Sequence, residues 1–269
     1  LDRSRAVHRF GFYLAGSGIA FETKDANVSA ELASLFPAAA TTDRTDFDLV
    51  TQVEAREDSS SGSRVLHIMA DGSVSAVESA GYAGELMLDD GLSRITVSLS
   101  AETFALQNYI RLVTAILTLR HGGLLLHASS VIRDGLGYVF FGPSGAGKTT
   151  AAYLSTAYLV TGDDLTAIRL DGNSVVLHGL PFRGSNRIVD THPGTAPLAR
   201  LLRLEQAPFD RLEAIPRGIA TAMLAAHAPW MNSIPAFQSR LFEVCEEVTV
   251  RVPPQRLHFR KSSEFWTVL

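Results

Sequence analysis

Cysteine is almost missing from this chain of 269 residues, where Cys245 stands alone. One thiol closes no internal disulfide and builds no cysteine-rich metal cage, and it suits a reducing compartment. Lysine is scarce too: Lys24, Lys148 and Lys261 face 21 arginines. There is no surplus of positive charge, since the net charge is −4. That balance gives no general footing for nucleic acid or for an anionic membrane. No apolar run reaches the length of a membrane span. Residues 1–20 lack the apolar stretch and cleavage site of a signal peptide. The expectation is a cytoplasmic protein with no nucleic-acid or membrane partner. The histidines show no metal-ligand spacing, so no zinc site is expected.

What is present supports a substantial core. Hydrophobic residues make up 46% of the chain and charged residues 19%, which argues against global disorder. Residues 1–104 read as a mostly β domain, either a substrate-recognition module or a structural lid. Short apolar runs lie between Phe10 and Phe21, broken by Gly16 and Gly18. Arg64 to Met69 alternates as a strand and turns at Asp71-Gly72 into Val74 to Val77. Glu85 to Leu88 and Ile95 to Leu99 flank a turn at Asp89-Asp90-Gly91. Ser59 to Gly62 is a polar loop tip. No motif with chemistry appears here.

Residues 105–269 read as a catalytic α/β domain. Ala101 to Arg120 carries an apolar face at helical spacing and stops at His121-Gly122-Gly123. Strands are predicted over Leu124 to Ile132 and Tyr138 to Phe141, with a turn at Asp134-Gly135. A helix is predicted from Thr149 to Ala157, then a short strand from Leu159 to Thr161 and a hairpin about Asp171-Gly172. Pro216 to Ala226 and Ile234 to Val248 read as helices. Val248 to Val252 and Arg256 to Phe259 read as closing strands.

Chemistry enters at Gly142-Pro143-Ser144-Gly145-Ala146-Gly147-Lys148-Thr149-Thr150. This run matches the phosphate-binding loop G-x-x-x-x-G-K-[ST] at every fixed position, between a strand and a helix as the motif demands. Main-chain N–H groups of Ser144 to Lys148 are expected to converge on phosphate oxygens. Lys148 is expected to bridge the β- and γ-phosphates of ATP, and Thr149 to offer its hydroxyl to Mg²⁺. In a chain so rich in arginine, a lysine here fits a loop that admits a slim ammonium and not a broad guanidinium.

Asp163 and Asp164 end the short strand after the loop. Two adjacent carboxylates there can divide labour, one holding Mg²⁺ and the other accepting a proton from an attacking hydroxyl. His127 lies on the strand before the loop; by spacing alone it fits a core histidine better than a catalytic one. Arg183 and Arg187 sit in a Pro/Gly-containing loop, where either is a candidate to neutralise a transferring phosphoryl group. Trp230 and Trp266 are expected to be core or interface anchors.

The set Leu125-Leu126-His127-Ala128-Ser129-Ser130, then Gly142 to Thr150, then Val160-Thr161-Gly162-Asp163-Asp164 resembles the catalytic domain of HPr kinase/phosphorylase and its kinase-like relatives. That family shares its nucleotide-binding core with phosphoenolpyruvate carboxykinase. The resemblance implies a P-loop kinase core of that type, with His127 at the active-site histidine position, Lys148 and Thr149 as the phosphate and Mg²⁺ residues, and Asp163-Asp164 as the acidic pair. It implies a Mg·ATP-dependent serine kinase with a protein or peptide acceptor, such as a ribosomally made peptide, and a homo-oligomer. The chain departs from the family at Pro181-Phe182-Arg183-Gly184, which lacks the family's metal-binding Glu, so phosphorolysis is not implied. A nucleotide switch or slow NTPase without a hydroxyl acceptor is the alternative. A transporter ATPase is excluded because no Leu-Ser-Gly-Gly-Gln run follows. A carboxykinase is disfavoured because no oxaloacetate-binding cluster is visible.

Overall fold

The computed structural model describes residues 6–35, 46–56, 67–71, 74–79, 81–98, 102–182 and 189–269. The chain divides into two compact units, Leu1–Thr114 and Ala115–Leu269. The division falls inside a helix, whereas the sequence reading puts the boundary at 104/105, near that helix's start. Both units are mixed α/β, each with its own multi-stranded sheet.

The first unit contains β1 (His8–Leu14), β2 (Ser17–Thr23), α1 (Ala26–Leu35), β3 (Leu49–Arg56), β4 (His67–Asp71), β5 (Val74–Ser79), β6 (Tyr82–Met87), β7 (Leu92–Ser98) and the first part of α2 (Glu102–Arg120). Its sheet has the order β1-β2-β3-β7-β6-β5-β4. β2 and β3 are parallel, as are β3 and β7. Ala15 and Gly16 both adopt positive φ between β1 and β2, the backbone that matches the twist of a two-residue hairpin. α1 starts because the Asp25 carboxylate accepts from the N–H groups of Asn27 (2.8 Å) and Val28 (3.1 Å), satisfying donors that have no partner inside the helix. Tyr109 is fully buried; its hydroxyl donates to Ser93 Oγ at 2.8 Å and lies 3.0 Å from Thr51 Oγ1.

The second unit continues from α2 through β8 (Gly123–Arg133), β9 (Leu136–Phe141), α3 (Lys148–Tyr153), β10 (Leu159–Gly162), β11 (Leu165–Asp171), β12 (Ser174–Gly179), β13 (Thr195–Gln206), β14 (Arg211–Ala214), α4 (Arg217–Ala226), α5 (Pro235–Arg251), β15 (Gln255–Phe259) and a 3₁₀ turn at Ser263–Val268. Strand pairing closes a ring: β8 with β11, β11 with β12, β12 with β13, β13 with β9, and β9 back to β8. β13 runs parallel to both β9 and β15. Phe140, Leu202, Leu204, Leu257, Phe259 and Phe265 form the middle of one apolar core. Trp266 joins it, as an anchor should: its indole N–H donates to Ser155 Oγ at 3.0 Å.

Two expected elements are corrected. The helix after the glycine loop ends at Tyr153, and turns follow to Ala157. Val248 to Val252 does not open a strand, because α5 runs through Arg251. β-branched residues favour strands only weakly, and here burial decides. Leu241, Val244, Cys245 and Val248 recur at helical spacing and all face the interior, so tertiary packing overrides local propensity. The expected elements at Ser59 to Gly62, at the start of the 64–69 strand, at Gly72 and at Leu99 lie outside the described residues, as do Arg183 and Arg187.

Candidate active site

The register of β8 organises the site. β10 pairs with Ser130–Ile132 and β11 with Gly123–His127, both antiparallel. Gly162 faces Ser130 and Leu165 faces His127 in one continuous register. β10 and β11 are therefore two pieces of one line along a single edge of β8, and Asp163-Asp164 occupies the break. The Ala128 N–H donates across that break to the Asp164 carbonyl at 3.1 Å. β9 lies along the opposite edge, and its last residue, Phe141, faces Ala128. The glycine loop leaves β9 at that level. Acidic break and glycine loop thus flank β8 at residues 128 and 129.

Side chains of alternate strand residues share a face, so His127 and Ser129 point the same way. Ser129 Oγ donates to the Lys148 carbonyl at 2.9 Å, which pins the start of α3 to this face. His127 Nδ1 lies 3.3 Å from Asp164 Oδ1, with the two side chains 46% and 23% exposed. Asp163 is buried. His127, Lys148 and Asp164 are thus drawn together from three elements.

The loop itself is shaped by glycine. Gly147 has φ of 108°, and a Cβ there would stand 2.7 Å from Phe259 Cζ, so a side chain is excluded both by backbone and by space. Gln206, the last residue of β13, donates its amide to the Gly145 carbonyl at 2.8 Å. Lys148 is buried, and its ammonium donates to the carbonyls of Gly142 (2.9 Å) and Pro143 (3.1 Å). Burial holds this ammonium below the usual lysine range, and the Asp164 carboxylate partly offsets that. A protein cation that is partly desolvated beside a carboxylate is a common mark of a functional site.

Donor chemistry fits Mg²⁺. Thr149 and the Asp163-Asp164 pair offer hard oxygen donors, and Mg²⁺ is usually held by one or two carboxylates together with substrate phosphates. Among the described residues no group of three or more His, Cys, Asp or Glu stands placed to hold a metal ion.

Sequence reasoning gave no role to four neighbours. Ser129 and Gln206 brace the loop as described. Arg203, on β13, stands in register with Phe141 and is paired with Glu205 at 3.1 Å. His227, just beyond α4, accepts the His127 N–H at its carbonyl (2.9 Å) and holds Met223 O at 2.7 Å through Nδ1. Its ring lies edge-on to Phe141 at 5.3 Å. Arg203, His227, Pro143, Ile219, Met223 and Ala226 line an open depression of about 530 Å³ beside the loop. No local sequence signal marks His227 or Arg203, because each owes its place to strand pairing and helix docking. No described helix is long and apolar enough to cross a membrane.

No curated protein matches the chain. Among solved structures it is similar to the Hpr(Ser) kinase/phosphatase from Coxiella burnetii, at 14% identity, over 34% of this chain and 72% of that one, with a TM-score of 0.26. A family model described as SynChlorMet cassette protein ScmC matches residues 96–269, well over half of the sequence, and the chain belongs to that ScmC family.

Proposed function

We propose that the second unit is a Mg·ATP-dependent kinase that transfers the γ-phosphoryl group to a serine hydroxyl of a protein or peptide. The observation that carries this reading is the convergence of Lys148, Asp164 and His127 at one level of β8, beside a loop with the phosphate-binding sequence.

A serine hydroxyl is a weak nucleophile and needs a base within hydrogen-bond reach as it attacks. Asp164 is the better placed of the two aspartates: its carboxylate is partly exposed and sits against His127, whereas Asp163 is buried. We assign proton acceptance to Asp164, with His127 orienting it. The loose phosphoryl transition state gathers negative charge on its outer oxygens. Lys148 would meet that charge with the ammonium proton that the Gly142 and Pro143 carbonyls leave free. The loop N–H groups of Ser144 to Lys148 hold the remaining phosphates. Thr149 and Asp163 would hold Mg²⁺, which would supply positive charge to the phosphate oxygens. Arg183 remains a candidate for the same task.

The test is incubation of the protein with γ-labelled Mg·ATP and candidate acceptor peptides, read by mass spectrometry. The expected product is phosphoserine, absent with Lys148→Ala. Release of inorganic phosphate alone, with no labelled hydroxyl in any peptide, would instead favour the slow NTPase.

A further inference from the structure

We propose that the depression beside the glycine loop is the acceptor subsite: it takes a peptide with a carboxylate close to the serine and apolar side chains further out. This deepens the kinase reading and rests on it for the serine and the phosphoryl donor.

The depression opens at the terminal-phosphate end of the loop. Lys148 Nζ, the group expected to meet that phosphate, sits on the carbonyls of Gly142 and Pro143 at 2.9 and 3.1 Å. Those are the loop's first two residues, and Pro143 itself lines the depression. The base of a nucleotide lies at the other end of its phosphate chain, so the space on this side falls to the acceptor.

One wall is α4. Gly218, Ile219, Ala222 and Ala226 are exposed and Met223 is half-buried. Positions 219, 222, 223 and 226 recur at helical spacing and form one stripe. Beyond Arg217 the helix has no charged residue, and Ala220, Leu224 and Ala225 already supply its inward face. A solvent-facing helix stripe is ordinarily polar; this one is apolar, with Ile219 52% exposed. A Cβ at Gly218 would meet nothing within 4 Å, so the space above the stripe is open. From Gly218 to Ala226 the helix rises about 12 Å, a length that about four residues of extended peptide span. The inner end of the stripe is tied to the site, because the His227 carbonyl accepts the His127 N–H at 2.9 Å.

Arg203 supplies the one permanent charge among the described residues of the lining, and no carboxylate joins it there. It stands in register with Phe141, the residue before the loop, so it marks the inner end. Among the described residues its guanidinium is engaged through Nη1, with Glu205 at 3.1 Å. Glu205 is shared with Arg256 at 3.2 Å. Along that face of the sheet three arginines, Arg203, Arg211 and Arg256, meet two carboxylates, Glu205 and Glu213, which leaves one positive charge in excess. The Nε and Nη2 donors of Arg203 suit an incoming carboxylate, which a guanidinium grips with two parallel bonds. An acidic residue beside the serine would balance the excess, and the apolar residues that follow would cover α4.

The probe is a library of synthetic peptides with one fixed serine and four varied positions on each side. With Mg·ATP, the phosphorylated members should be enriched in Asp or Glu next to the serine and in Leu, Ile, Val or Phe beyond it, on one side only. Replacing the favoured apolar residue by Asp should lower kcat/KM at least about tenfold. Ile219→Glu, a change at an exposed position, should turn the outer preference toward Lys or Arg. Arg203→Met should erase the inner preference and leave the outer one. Selection identical in both variants and the wild type would overturn the proposal and leave the kinase reading intact. So would Arg203→Met raising the KM for Mg·ATP equally with every peptide, since the guanidinium would then serve phosphate. The same library with alanine in place of serine, passed over immobilised protein, reads binding without transfer. Retention of the acidic and apolar members there, with no phosphopeptide from the serine library, would sink the kinase reading and keep the subsite as a peptide surface. Neither retention nor phosphopeptide would sink both.

Discussion

Removing the His127–Asp164 pair separates a catalytic role from a structural one. The side chains stand 3.3 Å apart and are 46% and 23% exposed. A pair so open to water contributes about 0–1 kcal/mol to stability. For a chain of this size that corresponds to a melting shift of no more than about 4 °C. A base and its orienting partner contribute far more to turnover, typically about 100- to 10,000-fold. Asp164→Asn keeps the shape of the side chain and removes its capacity to accept a proton. It should lower kcat by at least about 100-fold while the KM for Mg·ATP changes little. His127→Gln should lower kcat less, and the double variant should be no worse than Asp164→Asn alone, because the two groups act as a unit. Phosphopeptide formation gives the rates, and thermal melting of the same preparations gives the stabilities. Full turnover in Asp164→Asn would refute the assignment. So would a loss of activity that tracks the fraction unfolded.

Other expectations follow from single residues. Gly147→Ala forces a Cβ onto a backbone with φ of 108° and to within 2.7 Å of the Phe259 ring; urea unfolding should show a loss of about 1–3 kcal/mol. Tyr109→Phe removes the partner of the Ser93 and Thr51 hydroxyls and should cost about 1–3 kcal/mol by the same measurement. Cys245 is fully buried and its thiol is pushed up to about 12 by desolvation, so it should resist alkylation in the native protein at mildly alkaline pH and react once the chain is unfolded.

Elements with strong local patterns are legible in the sequence. α2 declares itself by helical spacing and a glycine stop, and β8 and β9 by apolar runs around Asp134-Gly135. β13 does not. Leu198, Leu201, Leu202 and Leu204 fit neither period cleanly, and the segment becomes a strand because β9 and β15 pair with it on both edges. β3 was within reach, since buried Leu49, Thr51 and Val53 alternate. So was α1, whose Asp25 cap is a local signal. The glycine loop and acidic doublet are visible as letters, and the resemblance to HPr kinases points to His127. That His127 meets Asp164 depends on the break between β10 and β11, which no local pattern encodes. His227 and Arg203 reach the loop only through tertiary docking, so no window of sequence reveals them.

The most direct test of the site is a crystal structure with Mg·AMP-PNP. The account predicts a triphosphate lying over the main-chain N–H groups of Ser144 to Lys148, with Lys148 Nζ donating to the terminal phosphate and Asp164 on the side of that phosphate facing the acceptor. A nucleotide bound elsewhere, or a triphosphate with Lys148 Nζ and Asp164 both out of reach of its terminal phosphate, would contradict it.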